Sequence, residues 1–302
     1  MRIPHALSLL LALSAPTACS GDKGDTASSG HPHDSGGSDG SDGDGGDGVA
    51  TTLQFSAGAG DTPFSCSSPL TGLGVTGSTW TPSDLRLYLH GFALIDAAGE
   101  ATPLILEQDG LWQVEDVVLL DFEDKTGTCS NGTPDTNDRV VGTAPAGEWT
   151  GLRFSVGVPF ALNHGDAATA PSPLNLSSMF WGWEAGYKFV RIDGSSTGQP
   201  AVLTHIGSTG CVADDDGEIT DCGQENISTL TIEGFDPAVN TLRLDLAGLF
   251  AGTDLDANAD GTMGICMSEP SDPDCGPIFA ALGIGFGDAA ADPAAQTTFV
   301  VE

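Results

Sequence analysis

Short runs of alternating or apolar residues recur along the chain after residue 50, and Gly, Pro and Asp separate them. Alternation with a period of two residues is typical of half-buried β-strands, whereas long patterns with the helical period of about 3.6 are scarce. The runs are Thr52–Phe55, Leu85–Leu94, Leu104–Leu106, Gly151–Val156, Tyr187–Ile192, Ala201–Ile206, Ser228–Ile232 and Asn240–Leu246. They predict one all-β domain over residues 50–302, a β-sandwich with long loops. Short helical turns are predicted at Phe160–Asn163, Leu246–Ala251 and Ile278–Leu282.

The first 18 residues are typical of a secretory signal peptide. Arg2 supplies a positive charge, and the apolar run after it is too short to cross a bilayer as a helix. The segment Pro16-Thr-Ala-Cys19 resembles the processing site of bacterial lipoproteins, with Cys19 bearing the lipid, although Pro16 replaces the usual Leu. We therefore predict an outer-membrane lipoprotein that faces the periplasm or the cell surface. The alternative is ordinary cleavage after Ala18, which would release a soluble periplasmic or secreted protein.

Residues 19–49 are rich in Gly, Ser and Asp and hold almost no apolar residue, which predicts a lipid-anchored, disordered tether. The whole chain has 9 Lys and Arg against 42 Asp and Glu, a formal net charge of −33. This balance argues against nucleic acid and anionic membrane surfaces as partners, because Lys and Arg mediate binding to both. Cations are the natural small partners. A second reason for the acidity is the solubility of an exported protein.

The chain has 7 cysteines, and setting Cys19 aside leaves an even number, which predicts three disulfides that staple the loops of an exported protein. Two pairs would close short loops, Cys211–Cys222 and Cys266–Cys275, and the pair that remains is Cys66–Cys129. Six cysteines allow fifteen pairings, so other connectivities stay open. A thiolate metal site is the competing interpretation. It is disfavoured because no Cys-x-x-Cys pair occurs and the compartment is oxidising.

One stretch concentrates large side chains in a chain that is otherwise poor in aromatics: Met179, Phe180, Trp181, Trp183, Tyr187 and Phe189. Trp181 and Trp183 lie two apart, so in a strand both indoles would project from one face, which Met179 would share. Gly182 between them adds no side chain to the other face. Core or cross-strand packing is the ordinary interpretation of such a pair.

Three histidines lie beyond the tether: His90, His164 and His205. A single histidine is more often structural than functional, but His164 and His205 flank the Trp-Gly-Trp stretch on its two sides. This arrangement is compatible with an imidazole metal site, and imidazole suits copper, zinc, iron and nickel alike. Carboxylate clusters such as Asp121-Phe-Glu-Asp124 arise by chance in so acidic a chain, so no acid/base pair is singled out.

The segment Asp254-Leu-Asp-Ala-Asn-Ala-Asp-Gly261 resembles the first half of an EF-hand calcium loop. Its candidate ligands are Asp254, Asp256, Asn258 and Asp260. The bidentate Glu expected at the twelfth position is replaced by Met267. A structural calcium site and a plain Asx/Gly turn are both open, because Asp and Asn favour turns in any case.

A longer set of motifs follows one order along residues 52–285: Phe64-Ser-Cys66, Pro82–His90, Leu119–Asp124, Gly127-Thr-Cys129, Thr136-Asn137, Gly151–Phe154, Gly157–Phe160, Leu162-Asn-His164, Ala170–Leu176, Met179–Trp183, Gly186–Phe189, His205–Cys211, Gly234–Pro237, Cys266-Met-Ser268 and Asp272–Cys275. Together they resemble the MbnP-like family, also called the metallo-mystery pair four-Cys family. The resemblance implies an exported protein that binds one copper ion. It also implies a partner, MbnH, a dihaem protein related to cytochrome c peroxidases and MauG.

In that family the dihaem partner oxidises the first Trp of a Trp-x-Trp motif to kynurenine, and copper binding depends on the change. The matching residue of this chain is Trp181, with Trp183 as the second Trp. The chemistry is reasonable, because an indole N–H is a donor only and has no free lone pair for a metal. Opening the ring creates an aromatic amine, which can bind a metal beside imidazoles.

The resemblance therefore predicts a copper-binding protein of copper homeostasis, not an enzyme, with Cu(I) as the bound ion. The predicted ligands are the modified Trp181 and the three histidines in matching motifs, His90, His164 and His205. Trp183 and Met179 are predicted to surround the site, and Met179 or Met267 to add a thioether. The alternative function is a calcium-stabilised extracellular binding or adhesion module in which the tryptophans form a platform for carbohydrate.

Overall fold

Residues 48–302 are described by the computed structural model, and the predicted signal peptide, lipidation site at Cys19 and nearly all of the tether lie outside the described residues. In chain order the strands of this part are β1 (Val49–Ala59), β2 (Thr62–Pro63), β3 (Leu70–Leu73), β4 (Ser78–Ile95), β5 (Ala101–Pro103), β6 (Ile105–Leu106), β7 (Gln113–Val114), β8 (Val117–Asp121), β9 (Arg139–Ala144), β10 (Gly151–Val156), β11 (Phe180–Gly182), β12 (Gly186–Tyr187), β13 (Val190–Ser196), β14 (Val202–Ile206), β15 (Thr209–Ala213), β16 (Ile219–Gln224), β17 (Ser228–Glu233), β18 (Thr241–Asp245) and β19 (Phe299–Val301).

The helices of the described residues are short: α1 (Phe160–Asn163), α2 (Leu246–Leu249), α3 (Cys275–Ala281) and two 3₁₀ turns, Ser177–Met179 and Pro293–Ala295. The first has the predicted bounds, and the second begins at the predicted residue. The third begins at Cys275, before the predicted start at Ile278. Among residues 48–302 the longest helix has 7 residues. A helix needs about 20 residues to span a bilayer.

Most strands belong to two sheets that form the predicted β-sandwich. The first sheet has the order β19–β18–β1–β9–β6, with β2 beside the end of β1. In it β1 and β18 run parallel, with Phe55 opposite Leu242, and the other neighbours are antiparallel. The second sheet has the order β14–β13–β4–β10–β17, and its long strand β4 also pairs with β3, β5 and β8. The all-β prediction is confirmed.

A hydrophobic core lies between the two sheets, because alternate apolar residues of both contribute to it. Phe55 of β1, Leu87 of β4 and Phe154 of β10 belong to this core and are at most 2% exposed. The rings of Phe55 and Phe154 meet edge to face with centroids 6.3 Å apart, a favoured geometry for aromatic pairs. Strand β17 shows the simplest alternation, with every second residue buried and the others exposed. Hydrophobic patterning of period two thus accounts for the sandwich.

The outer face of the second sheet is also covered, and this second layer positions the Trp-Gly-Trp stretch. Tyr88 of β4 alternates with the core residues Leu87 and Leu89 and belongs to a separate buried cluster. The fully or nearly fully buried members of this cluster are Tyr88, Val117, Leu119, Val158, Ala167, Leu174, Met179, Tyr187 and Phe189. Because it combines sheet residues with residues 174–189, the cluster fixes that stretch to the outer face of the sheet.

Two hairpins form separate small sheets, β11 with β12 and β15 with β16. Cys211 of β15 lies opposite Cys222 of β16 and is disulfide-bonded to it. The remaining disulfides are Cys66–Cys129 and Cys266–Cys275, so the predicted pairing is confirmed. These bonds staple the long loops around the sandwich.

Candidate metal centre

The two tryptophans lie in different environments. The 3₁₀ turn Ser177–Met179 leads into β11, and β11 pairs with β12 through Phe180 and Tyr187. Trp181 is half-buried, whereas 52% of Trp183 is exposed. Only the first indole lies within the strand, because β11 ends at Gly182. The single strand face that the spacing predicts for both rings does not form.

Met179 also differs from the prediction. It belongs to the turn and not to the strand, it is fully buried, and it packs in the second cluster with Tyr187 and Phe189. Its main-chain oxygen accepts a hydrogen bond from the Lys188 N–H at 2.8 Å. Met179 therefore fixes the hairpin to the sheet and does not line the cavity beside Trp181.

That cavity has a volume of about 380 Å³. Its walls are Trp181, Glu184 and Ala185 of the first hairpin, Ser208–Cys211 at the start of the second hairpin, and Met267. On another side the indole packs against main chain, since a Cβ at Gly207 would lie only 2.5 Å from a ring carbon of Trp181. Trp181 thus has bare backbone on one side and open space on another.

His205 of β14 is the histidine beside Trp181, with ring centroids 6.3 Å apart. Its Nε2 lies 2.6 Å from Oδ1 of Asp193, and it donates to this carboxylate. In the neutral ring Nδ1 then keeps its lone pair. This Nδ1 is buried and has no hydrogen-bond partner among residues 48–302. Buried polar atoms without a partner are uncommon and call for an explanation.

A network of buried charges holds Asp193. Its Oδ2 accepts a hydrogen bond from Nε of Arg191 at 2.8 Å, and the same Nε lies 3.1 Å from Oδ2 of Asp84. Asp84 in turn pairs with Arg86. Burial alone would raise the pKa of Asp193, but the hydrogen bonds from His205 and Arg191 and the charge of Arg191 bring this pKa below its ordinary value. Asp193 is therefore a carboxylate that orients the imidazole.

The same network reaches the turn before Trp181. The main-chain oxygen of Ser178 accepts hydrogen bonds from Arg191 at 2.9 Å and from Lys188 at 2.8 Å, and its hydroxyl lies 3.2 Å from a guanidinium nitrogen of Arg86. The chain has only 9 Lys and Arg, so three of them at one residue are a large share. Sequence reasoning missed Asp193 and this network. Its signal is Arg191 and Asp193 alternating with apolar residues in one strand.

Met267 comes to the cavity because its neighbours pair with β14. The His205 N–H donates to the carbonyl of Cys266 at 2.8 Å, and the Ser268 hydroxyl donates to the carbonyl of His205 at 3.0 Å. Met267 lies between these two residues and lines the same cavity as Trp181. The Met267 thioether and the Trp181 side chain thus line one cavity, and the His205 imidazole packs beside Trp181.

His164 contacts the hairpin from another direction. Its Nδ1 lies 2.9 Å from the main-chain oxygen of Trp183, to which it donates. Its Nε2 lies 3.3 Å from Nδ2 of Asn163 and 3.5 Å from Sγ of Cys222. His164 is not among the residues that line the cavity.

His90 makes a different contact from those of His205 and His164. Its Nδ1 donates to the main-chain oxygen of Gly157 at 2.9 Å, and burial lowers the pKa of the ring. The three histidines do not form a group of ligand atoms within 4.8 Å of one another in residues 48–302. The predicted convergence of three imidazoles is therefore not observed, and only His205 lies against Trp181.

The calcium-like loop uses its oxygens within the protein. The Asp256 carboxylate accepts hydrogen bonds from the Ser78 hydroxyl at 2.7 Å and from the Gly198 N–H at 2.8 Å. Asp254 accepts from the Asp256 N–H at 2.9 Å, which is an Asx turn. The carboxylates of Asp254, Asp256 and Asp260 do not form a group within 4.8 Å among the described residues. These contacts favour the turn interpretation.

Comparison with known proteins decides the family. A sequence model of the MbnP family matches residues 49–268. The chain belongs to the MbnP family. Among solved structures, MbnP from Methylosinus trichosporium is 33% identical and superposes with a TM-score of 0.74, covering 84% of this chain and 98% of that one. No curated protein sequence matches the chain.

The MbnP match contains the whole candidate centre. It includes the Trp181 hairpin, Asp193, His205 and Met267, and it ends before α3 and β19. In this MbnP-family chain β19 nevertheless completes the first sheet, since it pairs with β18.

Proposed function

We propose that this MbnP-family protein is an exported copper-binding protein of copper homeostasis, whose site forms once a dihaem partner of the MbnH type has converted Trp181 to kynurenine. It binds the metal and does not itself catalyse a reaction. The observation that carries the proposal is Nδ1 of His205, a buried nitrogen without a hydrogen-bond partner among residues 48–302, in the ring that packs beside Trp181. A bound metal ion would satisfy that nitrogen.

The oxidation step creates the missing ligand. The dihaem partner would use two molecules of hydrogen peroxide to cleave the indole C2–C3 bond, which would add two oxygen atoms and release two water molecules. Hydrolysis then removes the C2 carbon as formate, which leaves an aromatic amine and a ketone. The amine has a lone pair for a metal, which the indole N–H lacks. The open cavity beside Trp181 offers room for the new groups.

Three neutral donors would then surround one region: the new amine at position 181, Nδ1 of His205 and the sulfur of Met267. Imidazole and thioether ligands suit copper, and soft thioethers favour Cu(I). Asp193 supplies the hydrogen bond that metal-binding histidines usually make through their second nitrogen. His90 and His164 are not part of this set, because among the histidines of residues 48–302 the ring packed beside Trp181 is that of His205.

Export and anchoring are part of the proposal. The leader and Cys19 support an outer-membrane lipoprotein that faces the periplasm or the cell surface. A lipid-labelling experiment tests this, with Cys19→Ser as the comparison. Loss of label and release into the soluble periplasmic fraction are expected for the variant. An unlabelled parent would instead support cleavage after Ala18.

Co-expression with the dihaem partner tests the function. We expect the intact mass to show one ring carbon exchanged for one oxygen, and metal analysis to find one copper. Trp181→Phe should lose both the mass change and the copper. Trp183→Phe, which alters the exposed indole two residues away, should keep the mass change. Copper retained at full stoichiometry by Trp181→Phe would refute the proposal, and calcium without copper would favour the adhesion module.

A further inference from the structure

The disulfide Cys211–Cys222 differs from the other two in its accessibility. Cys211 is half-buried in a hairpin whose residues 212–218 are all exposed. The other four disulfide cysteines, Cys66, Cys129, Cys266 and Cys275, are at most 4% exposed. Thiol–disulfide exchange requires access of the attacking thiolate to a sulfur atom. A reductant can therefore reach this bond first, and the β15–β16 register can hold the two cysteines opposite each other afterwards.

A histidine lone pair faces this disulfide. A carbonyl oxygen can only accept, so the contact with Trp183 places the ring proton of His164 on Nδ1. The neutral ring then has its lone pair on Nε2, which lies 3.5 Å from Sγ of Cys222. A disulfide sulfur has no proton to donate, so the donor within reach of this lone pair is Nδ2 of Asn163, in a contact of 3.3 Å that a bound metal ion would replace. The hydrogen bond at Nδ1 also fixes the orientation of the ring.

The three atoms have the spacing of a metal site. A ring nitrogen of His164 and the sulfurs of Cys211 and Cys222 all lie within 4.8 Å of one another. Bonds of about 2.1 Å to nitrogen and about 2.3 Å to sulfur at a tetrahedral angle separate the two ligand atoms by about 3.6 Å. The observed separation from Cys222 is 3.5 Å. Reduction would let the two sulfurs move apart to the roughly 3.8 Å that one tetrahedral ion requires.

We propose that Cys211, Cys222 and His164 form a second metal site, for a soft ion such as Cu(I) or Zn(II), when a dithiol reductant opens the disulfide. The dithiol supplies two electrons and two protons, becomes a disulfide itself, and leaves two thiols on the protein. The metal ion then displaces these two protons, because the thiolate is the ligand. Cys211 also lines the cavity beside Trp181, so the site lies at its wall. It needs no oxidation of Trp181.

Cobalt(II) tests the site, since thiolate-bound cobalt has a charge-transfer band in the near ultraviolet. The full chain, produced without the dihaem partner, is reduced with dithiothreitol, desalted without oxygen and titrated with cobalt(II). We expect the band at one equivalent in the reduced protein and no band in the oxidised protein. The Cys211→Ser/Cys222→Ser variant should lack the band. The matched Cys66→Ser/Cys129→Ser variant, which loses a buried disulfide, should keep it.

His164→Gln keeps all cysteines and the disulfide, so it tests the nitrogen ligand without disturbing the hairpin. We expect it to weaken cobalt binding by about tenfold or more. No band in the reduced parent, a band that survives in Cys211→Ser/Cys222→Ser, or unchanged affinity in His164→Gln would each overturn the site. Trp181→Phe should keep the band. Because the same variant should lose copper after co-expression, the two proposals can fail separately.

Discussion

The variant Asp193→Asn tests two roles of this carboxylate, one in the stability of the fold and one in the copper affinity of the proposed site. The carboxylate of Asp193 is 4% exposed and accepts hydrogen bonds from His205 at 2.6 Å and from Arg191 at 2.8 Å. An amide has one oxygen and cannot accept from both partners equally. Removing one member of a buried ion pair costs about 3–5 kcal/mol. We expect a loss of stability at the low end of this range, about 3 kcal/mol, because Arg191 still has the carboxylate of Asp84 as a partner at 3.1 Å.

The effect on copper has a separate cause. If the new amide turns its NH₂ group to His205, the imidazole must place its proton on Nδ1, which removes the lone pair from the metal. Loss of such an orienting carboxylate typically costs 10–100-fold in metal affinity, or about 1.4–2.7 kcal/mol. Denaturant unfolding measures the loss of stability. Competition with a chromogenic Cu(I) chelator, on protein already processed by the dihaem partner, measures the loss of copper affinity.

Asp84→Asn is the matched control. Asp84 belongs to the same network and contacts Arg86 and Arg191, but it makes no contact with His205. This variant should lose stability by a similar amount and keep its copper affinity. If Asp193→Asn unfolds more easily yet binds copper within about twofold of the parent, then Nδ1 of His205 is not a ligand. Equal affinity losses in both variants would also contradict the role given to Asp193.

Three further variants test the surroundings. Burial raises the pKa of Asp121 to about 7, so the folded protein keeps a proton that the unfolded chain releases near pH 4, and stability falls as the pH rises between these values. At pH 8 the free energy of unfolding of Asp121→Asn, measured by denaturant titration, should therefore be higher than that of the parent by up to about 4 kcal/mol, and near pH 4 the two should be equal. The same difference at both pH values would contradict the raised pKa of Asp121. Gly207→Ala should displace Trp181, lower stability by about 1–3 kcal/mol and change the near-ultraviolet circular dichroism; an unchanged spectrum would show that the indole does not rest there. Cys66→Ala/Cys129→Ala opens a loop with a sequence separation of 63, so unfolding should become easier by about 4 kcal/mol, and a loss below 1 kcal/mol would point to residual structure in the unfolded chain.

The fold could largely be predicted because period-two patterning and turn residues are local signals. Strand β4 shows where this fails, since the alternating run begins at Leu85 but the strand begins at Ser78. Pro82 hides the first half, because a proline cannot donate to a ladder. The structure accommodates it with a register shift between Asp193 and Gly194, opposite Pro82.

The centre was less predictable because its contacts depend on register and loop conformation. Asp193 and His205 meet only because β13 and β14 pair so that Arg191 lies opposite His205. Met179 does not share a strand face with the indoles, because it belongs to the 3₁₀ turn before β11. No local sequence pattern predicts that turn. The disulfides, by contrast, followed from cysteine spacing, since two of them close loops with separations of 9 and 11 residues.

The packing of Trp181 on Gly207 involves the part of the indole that ring opening would leave intact, because the carbon 2.5 Å from a Cβ at position 207 belongs to the six-membered ring. The main chain blocks one side of the indole, and the cavity lies open on another. If Trp181 is oxidised as proposed, this six-membered ring would stay in place, and the cavity that Met267 also lines would offer room for the groups released from the five-membered ring. The cavity is present before any change to the side chain, so the proposed maturation would require no refolding of the protein.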